Sequence, residues 1–205
     1  MTARVVDVSH LEEEVVDSRA LVWWGNLSMM TIEGTMFAMI IATYLYLKTV
    51  NLDWPPTTVP IPDLVLPTID LAILIMSLIP AMIADKAAKR GDVPTAQIGL
   101  GIVVLCGITF LIIRAINLQW LGFKWSDHAY GSVIWISFGM HTFHCIAATG
   151  ETALLVLYSV GHPMVKKRLI DARCSAVYWY FVVVTWLPFY FIVYIAPHLM
   201  RKERF

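Results

Sequence analysis

The 205-residue chain is strongly apolar, with 59% hydrophobic and only 15% charged residues and a mean hydropathy of +0.70. This composition excludes an ordinary water-soluble domain of this size. Fifteen basic and fifteen acidic residues cancel, so the chain lacks the general positive charge that attracts nucleic acid. We therefore expect an integral membrane protein with no nucleic-acid partner.

Apolar blocks long enough to cross a bilayer recur along the chain. A hydrocarbon core of about 30 Å needs roughly 20 mostly apolar residues per helix. Five blocks qualify, namely Val22–Lys48, Leu64–Ala84, Ala96–Leu118, Ala129–Val160 and Cys174–Leu199. The sequence therefore predicts an all-α fold, a bundle of five transmembrane helices over residues 21–200. An acidic N-terminal segment (1–20) precedes the bundle and a basic tail (201–205) follows it.

The distribution of basic residues predicts how the bundle is oriented. More basic residues lie on the side of the N-terminus, including those at 4, 19, 86, 89, 90, 166–168 and 173. Because cytoplasmic loops carry an excess of Lys and Arg, we expect a cytoplasmic N-terminus and a C-terminus outside.

Ionisable side chains inside the predicted spans are the first candidates for a functional site. Each costs roughly 2.5–3.5 kcal/mol on insertion scales. Glu33, near the middle of the first block, either hydrogen-bonds a neighbouring helix or has a functional role. Arg114 either extends its guanidinium to the interface or pairs with Glu151 or Asp70. For Asp70 itself we expect a place near a helix N-terminus and the aqueous interface.

The fourth block carries a polar stripe. His141, His144 and Glu151 share one helix face with Ala148. Such a stripe predicts a metal or proton site, or hydrogen bonds across a helix interface. A bis-imidazole haem site needs histidines on two helices, and these two share one. The remaining histidines belong to tails, loops or span ends, at 10, 128, 162 and 198. We therefore expect no haem, copper or zinc in this chain.

Four motifs in chain order carry a family resemblance. They are Glu33 with Met36-Phe37 and Ala42-Thr43-Tyr44, then Leu66-Pro67-Thr68-Ile69-Asp70, then Ala129-Tyr130-Gly131-Ser132 leading to Gly139-Met140-His141-Thr142-Phe143-His144, and finally Ala176-Val177-Tyr178-Trp179-Tyr180-Phe181-Val182 with Trp186. Together they resemble subunit III of the haem-copper respiratory oxidases, the cytochrome c and quinol oxidases. Five helices is the number found in shorter members of that family.

The resemblance implies a non-catalytic subunit of a hetero-oligomeric oxidase in a bacterial plasma membrane. Such a subunit packs on subunit I, in a complex that also contains subunit II, and haem and copper lie in those partners. Members of the family bind phospholipid and help sustain proton uptake and enzyme stability. Glu33, His141 and His144 match the family's polar positions, whereas Glu151 and Arg114 are candidates from the residues alone.

Several positions depart from the pattern that the resemblance implies. Asp70 stands where Asn is expected and Arg114 where Gln is expected. The other departures are Asn117 in place of an acidic residue, Tyr180 in place of His and Val183 in place of Asp. They indicate a divergent branch, in which polar contacts with the last helix differ from those of the family.

Two other functions stay open on the sequence alone. An accessory subunit of a nitric oxide reductase would share the same superfamily features. A small membrane transporter would use the same intramembrane charges as a pathway, although the sequence shows no inverted repeat.

Overall fold

The computed structural model describes residues 18–161 and 168–202, and within these residues the chain forms helices and no strands. The elements are α1 (Leu21–Val50), α2 (Val65–Met76), α3 (Leu78–Arg90), α4 (Val93–Gln119), α5 (Ala129–Gly161), α6 (Leu169–Tyr190), a π-helical turn (Phe191–Ile195) and α7 (Ala196–Lys202). Most of the predicted acidic segment 1–20 and most of the tail 201–205 lie outside the described residues.

The second predicted block forms two helices with a break at Ser77. Pro80 has no N–H to donate to the carbonyl of Met76, so the helical hydrogen-bond ladder is interrupted there. The Ser77 hydroxyl donates to the Leu74 carbonyl at 2.6 Å and accepts from the Trp179 indole at 2.7 Å. A hydrogen bond from Trp179 therefore joins α6 to the junction of α2 and α3.

Local sequence signals end α3 and begin α4. Gly91 follows α3 with a φ of 76°, a left-handed conformation that favours glycine. Asp92 caps α4, because its carboxylate accepts from the Thr95 amide at 3.3 Å, and a proline lies in the first turn. These residues produce the tight connection that lays α3 against α4.

Small residues let α3 and α4 approach closely. Ala84, Ala88, Ala96 and Leu100 are almost fully buried between these helices and α6. A Cβ added at Gly99 would lie 2.9 Å from the Ala84 Cβ and 3.0 Å from a backbone carbonyl of α3. Close approach of this kind is how membrane helices gain van der Waals contact where apolar burial alone gives little preference.

Helix α6 lies at the centre of the bundle, in contact with α1, α2, α3, α4 and α5. It buries residues on every side, whereas α1 buries only Phe37 and Tyr44 among its 30 residues. The last predicted span is therefore the core element and the first is peripheral. Most of the α1 surface is left for lipid or for another chain.

Four helical stretches of the described residues are long and apolar enough to cross a membrane. They are Leu21–Val50, Val65–Arg90, Val93–Gln119 and Leu169–Met200. The predicted all-α membrane bundle is thus confirmed. Helix α5 has 33 residues, about 50 Å at 1.5 Å per residue, but it is not among the four. Its membrane crossing stays a prediction.

The close contact at Gly99 leads to a test of helix packing. We expect Gly99→Ala to lower the free energy of unfolding in detergent by about 1–3 kcal/mol, because the added methyl group meets α3 backbone that cannot rotate away. Gly101→Ala is the matched control, since a Cβ there meets nothing within 4 Å. Equal thermal midpoints for the two variants would contradict this packing.

Candidate functional site: polar side chains inside the bundle

A buried ion pair joins α2 to α4. The Arg114 Nε donates to Asp70 Oδ2 at 3.1 Å, and the side chains are 1% and 2% exposed. Of the arrangements left open for Arg114, the structure therefore has the pair with Asp70 and neither the extension to the interface nor a pair with Glu151. Asp70 is inside the bundle, contrary to the expectation of an aqueous position.

Aromatic rings enclose the Arg114 guanidinium. Its central carbon lies 3.8 Å from the Trp186 ring centroid, 4.6 Å from Phe110 and 5.1 Å from Phe138. Phe110 lies on α4, the helix of Arg114 itself, whereas Trp186 lies on α6 and Phe138 on α5. The cation therefore contacts rings of α5 and α6 in addition to the carboxylate of α2. A desolvated cation gains more from ring faces than an exposed one does. Arg114 therefore connects four helices of the bundle.

The hydrogen bonding of this pair is incomplete within the described chain. Asp70 Oδ1, Arg114 Nη1 and Asn117 Nδ2 are buried and have no hydrogen-bond partner among the described residues. Asn117 lies beside the Asp70 carboxylate. Two donors and one acceptor are grouped there, and buried polar groups in proteins normally find a partner in protein, water or ligand.

His141 belongs to the same interior. It is fully buried, and its Nε2 donates to the Val182 carbonyl of α6 at 3.0 Å. Because a carbonyl can only accept, the proton lies on Nε2 and Nδ1 faces the Cys145 thiol at 3.6 Å. The ring also packs on Trp186, with centroids 4.5 Å apart. His141 therefore joins α5 to α6 through a hydrogen bond and ring contact.

Glu33 and His144 form a second polar pair, between α1 and α5. Glu33 Oε1 lies 3.7 Å from His144 Nε2, with side chains 18% and 8% exposed. The His144 Nδ1 donates to the Met140 carbonyl at 2.7 Å, so the other ring nitrogen is the one that faces the carboxyl. Phe37 packs on the His144 ring at 4.9 Å, and Tyr178 of α6 also interacts with Glu33.

The polar stripe of α5 divides between the interior and the surface. His141 and His144 point into the bundle, whereas Glu151 is exposed. Glu151 interacts electrostatically with the carboxylate of Asp171 on α6. Glu151 therefore lies outside both polar pairs, on a surface shared by α5 and α6.

A third ionic group was missed by the sequence reasoning. Asp85 of α3 binds Arg173 of α6 at 3.1 Å and Lys89 at 2.7 Å. The predicted second span ended one residue before Asp85, and Arg173 was counted as a loop charge. Both helices extend further than the apolar blocks, so this end of the bundle is joined by charges. The spacing of Asp85 and Lys89, one helical turn apart, was the available signal.

The arrangement of these groups is that of helix-to-helix contacts. Among the described residues, no group of three or more His, Cys, Asp or Glu side chains is placed to hold a metal ion. The pairs Asp70–Arg114, Glu33–His144 and Asp85–Arg173 instead join side chains of two different helices.

Comparison with known proteins identifies a family that matches most of this chain. The profile of the family described as "Cytochrome c oxidase subunit III" matches residues 18–197. The chain belongs to the cytochrome c oxidase subunit III family. This confirms the family resemblance seen in the four sequence motifs.

Three individual members of the subunit III family share less than a third of their residues with this chain over the matched region. Proteins named cytochrome c oxidase subunit 3 from Cyprinus carpio, Oryctolagus cuniculus and Osphranter robustus are 27%, 28% and 30% identical over 142 residues, or 69% of this chain. That match covers 54% of each relative. The chain spans about half the length of the curated relatives it matches.

The geometry explains two departures of this chain from the pattern expected on resemblance. Asp70 and Arg114 stand where neutral Asn and Gln are expected, and they form an ion pair with one another. A single charge at either position would be buried without a partner, which is strongly unfavourable. The two departures therefore compensate each other.

This compensation can be measured with a double-mutant cycle in detergent. We expect Asp70→Asn or Arg114→Gln alone to destabilise the protein by about 3–5 kcal/mol, since each leaves one uncompensated charge inside the bundle. The double variant Asp70→Asn/Arg114→Gln should recover much of that loss. Strictly additive effects on the free energy of unfolding would contradict a coupled pair.

Proposed function

We propose that this chain is the non-catalytic subunit III of a terminal haem-copper oxidase, in a hetero-oligomeric complex with subunits I and II. The haem and copper centres lie in those partners. The chain crosses a bacterial plasma membrane five times, with α5 as the fourth crossing in chain order, its N-terminus cytoplasmic and its C-terminus outside. Its role is to bind phospholipid and to support proton uptake and the stability of the enzyme.

The observation that carries this proposal is the family match over residues 18–197, nearly the whole chain. The internal geometry supports a non-catalytic role, because the buried charged side chains pair with other helices of the same chain. The pairs among the described residues are Asp70 with Arg114, Glu33 with His144 and Asp85 with Arg173. Such pairs hold a bundle together and leave its outer surface to lipid and partner subunits.

Helix α1 is the surface that we assign to lipid and partner chains. Only two of its 30 residues are buried, and Glu33 is the ionisable group at its inner edge. A carboxyl at this position is only 18% exposed but lies near the bundle surface, where a partner chain packed on α1 could contact it. We propose that Glu33 and His144 support proton uptake. Arg114 and His141 serve as interhelical contacts, and the exposed Glu151 serves as a contact for lipid or a partner.

Co-purification from native membranes tests the assignment. We expect an affinity-tagged chain to bring with it a large haem- and copper-containing subunit, identified by mass spectrometry, metal analysis and an optical spectrum. A companion with haem and non-haem iron but no copper would indicate a nitric oxide reductase. A chain that purifies alone and drives solute flux in liposomes would indicate a transporter, and either result would overturn the proposal.

The role of Glu33 is tested in the assembled enzyme. We expect Glu33→Gln to leave the haem content unchanged and to shorten several-fold the time for which activity survives turnover, or to slow proton uptake, because the carboxyl facing His144 is lost. Thr35→Val, on the exposed side of the same helix, should behave like wild type. If Glu33→Gln matched wild type in both lifetime and proton uptake, Glu33 would have no such role.

A further inference from the structure

Two ionisable side chains lie on one face of α6, one at the membrane surface and one inside the bundle. Asp171 is in the first turn of α6, and Tyr178 follows two turns later on the same face, about 10 Å further along the axis. The span Leu169–Met200 has 32 residues, or about 48 Å, so its ends extend beyond a hydrocarbon core of about 30 Å. Asp171 therefore meets water, whereas Tyr178 is only 4% exposed.

Glu151 of α5 lies between these two side chains in height. The hydroxyls of Thr152 and Ser175 are hydrogen-bonded at 2.7 Å, which fixes the register of α5 against α6. Because Ser175 lies between Asp171 and Tyr178 on α6, Glu151 is about one helical turn, roughly 5 Å, from each of them along the bundle. It interacts electrostatically with both. Asp171, Glu151 and Tyr178 together form what we call the polar row.

Helix α1 brings Glu33 to the inner end of the polar row. The Asn26 amide donates to the Cys174 carbonyl at 3.1 Å, and the Tyr178 hydroxyl hydrogen-bonds the Glu33 carboxyl. These two contacts follow the same chain order on both helices, so α1 and α6 run in the same direction. Glu33 lies about 18 Å from the start of α1, and His144 of α5 faces it from the other side at 3.7 Å.

The other charged groups lie at the outer end of the polar row. Arg168 interacts with Asp171, and Arg173 interacts with the Cys174 thiol. Arg173 is also bound to Asp85 of α3 at 3.1 Å. The groups that interact with the Tyr178 hydroxyl are Glu33, Glu151 and the Cys145 thiol. Tyr178 therefore stands between two carboxyl groups, one towards the surface and one towards the interior.

The side chains of the polar row have the chemistry that proton transfer requires. A carboxylate accepts a proton and donates it again once protonated, and a tyrosine hydroxyl carries one donor and two acceptor positions. Successive Asp, Glu and His side chains inside membrane proteins mark proton pathways. The exposure of the groups also decreases along the row, from the exposed Glu151 to the buried Tyr178.

We propose that the polar row is a proton relay from the membrane surface at the start of α6 to the Glu33–His144 pair. A proton held by Glu151 passes to the Tyr178 oxygen while Tyr178 gives its own hydroxyl proton to the Glu33 carboxylate. Tyr178 ends with one O–H bond as it began, so the net change is one proton moved inward. The relay rests on the proposed role of Glu33 and His144 in proton uptake, and it gives Glu151 a function besides surface contact.

Time-resolved infrared spectroscopy tests the relay with the full chain in lipid nanodiscs. After a rapid acid jump, the difference between wild type and Glu33→Gln isolates the protonation of Glu33. We expect Glu151→Gln and Tyr178→Phe each to slow this step at least several-fold. The double variant should be no slower than the slower single one, because the two groups act in series. A purely electrostatic effect of Glu151 would instead shift the pH at which Glu33 protonates without slowing it, and would overturn the relay.

Matched controls change the same chemical groups elsewhere. Tyr46→Phe, at a 65% exposed position of α1, and Asp63→Asn, in the α1–α2 connection, should leave the rate unchanged. If Tyr178→Phe does not fold, Glu151→Gln decides alone, since it keeps the shape of an exposed side chain.

The relay and the proposed function fail in different ways. Unchanged rates in the Glu151 and Tyr178 variants, or a Glu33 that takes up no proton, would overturn the relay. Wild-type lifetime and proton uptake of Glu33→Gln in the assembled enzyme would overturn the role of Glu33 in the oxidase, and the infrared rates would still show whether protons reach Glu33 along the polar row.

Discussion

The Arg114–Asp70 pair is the interaction on which the rest of this bundle depends. In hydrocarbon a guanidinium has no water to hydrate it, so every contact it needs must come from protein. Arg114 takes a carboxylate from α2 and ring faces from α5 and α6. These contacts exist together only at one depth and one rotation of each helix. A buried ion pair gives modest net stability, but it disfavours alternative arrangements in which either charge is alone.

The central place of α6 follows from the same constraint. Its polar contacts are spread along its length, with Arg173 bound to Asp85 at one end, the Trp179 indole donating to Ser77, and Trp186 under Arg114 further on. Apolar faces of membrane helices are interchangeable because lipid competes for them equally well. Directional contacts at three levels therefore fix which face of α6 meets which neighbour.

The sequence predicted the helical blocks well because apolar length is a strong signal in a bilayer. It also gave the candidates Glu33, His144 and Arg114, because an ionisable residue is conspicuous among apolar neighbours. Partners were harder to predict, since pairing depends on tertiary packing. Arg114 had two candidate carboxylates, and only the fold distinguishes Asp70 inside the bundle from Glu151 on its surface. Asp85 and Arg173 were missed because helix ends extend beyond their apolar blocks, into segments that composition assigns to loops.

Two of the internal polar pairs differ in how completely the bundle encloses them. Asp70 and Arg114 are enclosed, at 3.1 Å, with almost no exposed surface. Glu33 and His144 are 3.7 Å apart and partly exposed, beside a helix that the chain itself barely covers. A partner chain packed on α1 could contact the second pair without unpacking the core, and the longer distance leaves room for its partners to change. The enclosed pair is therefore suited to fixing the bundle, and the less enclosed pair to contacts at the surface of the bundle.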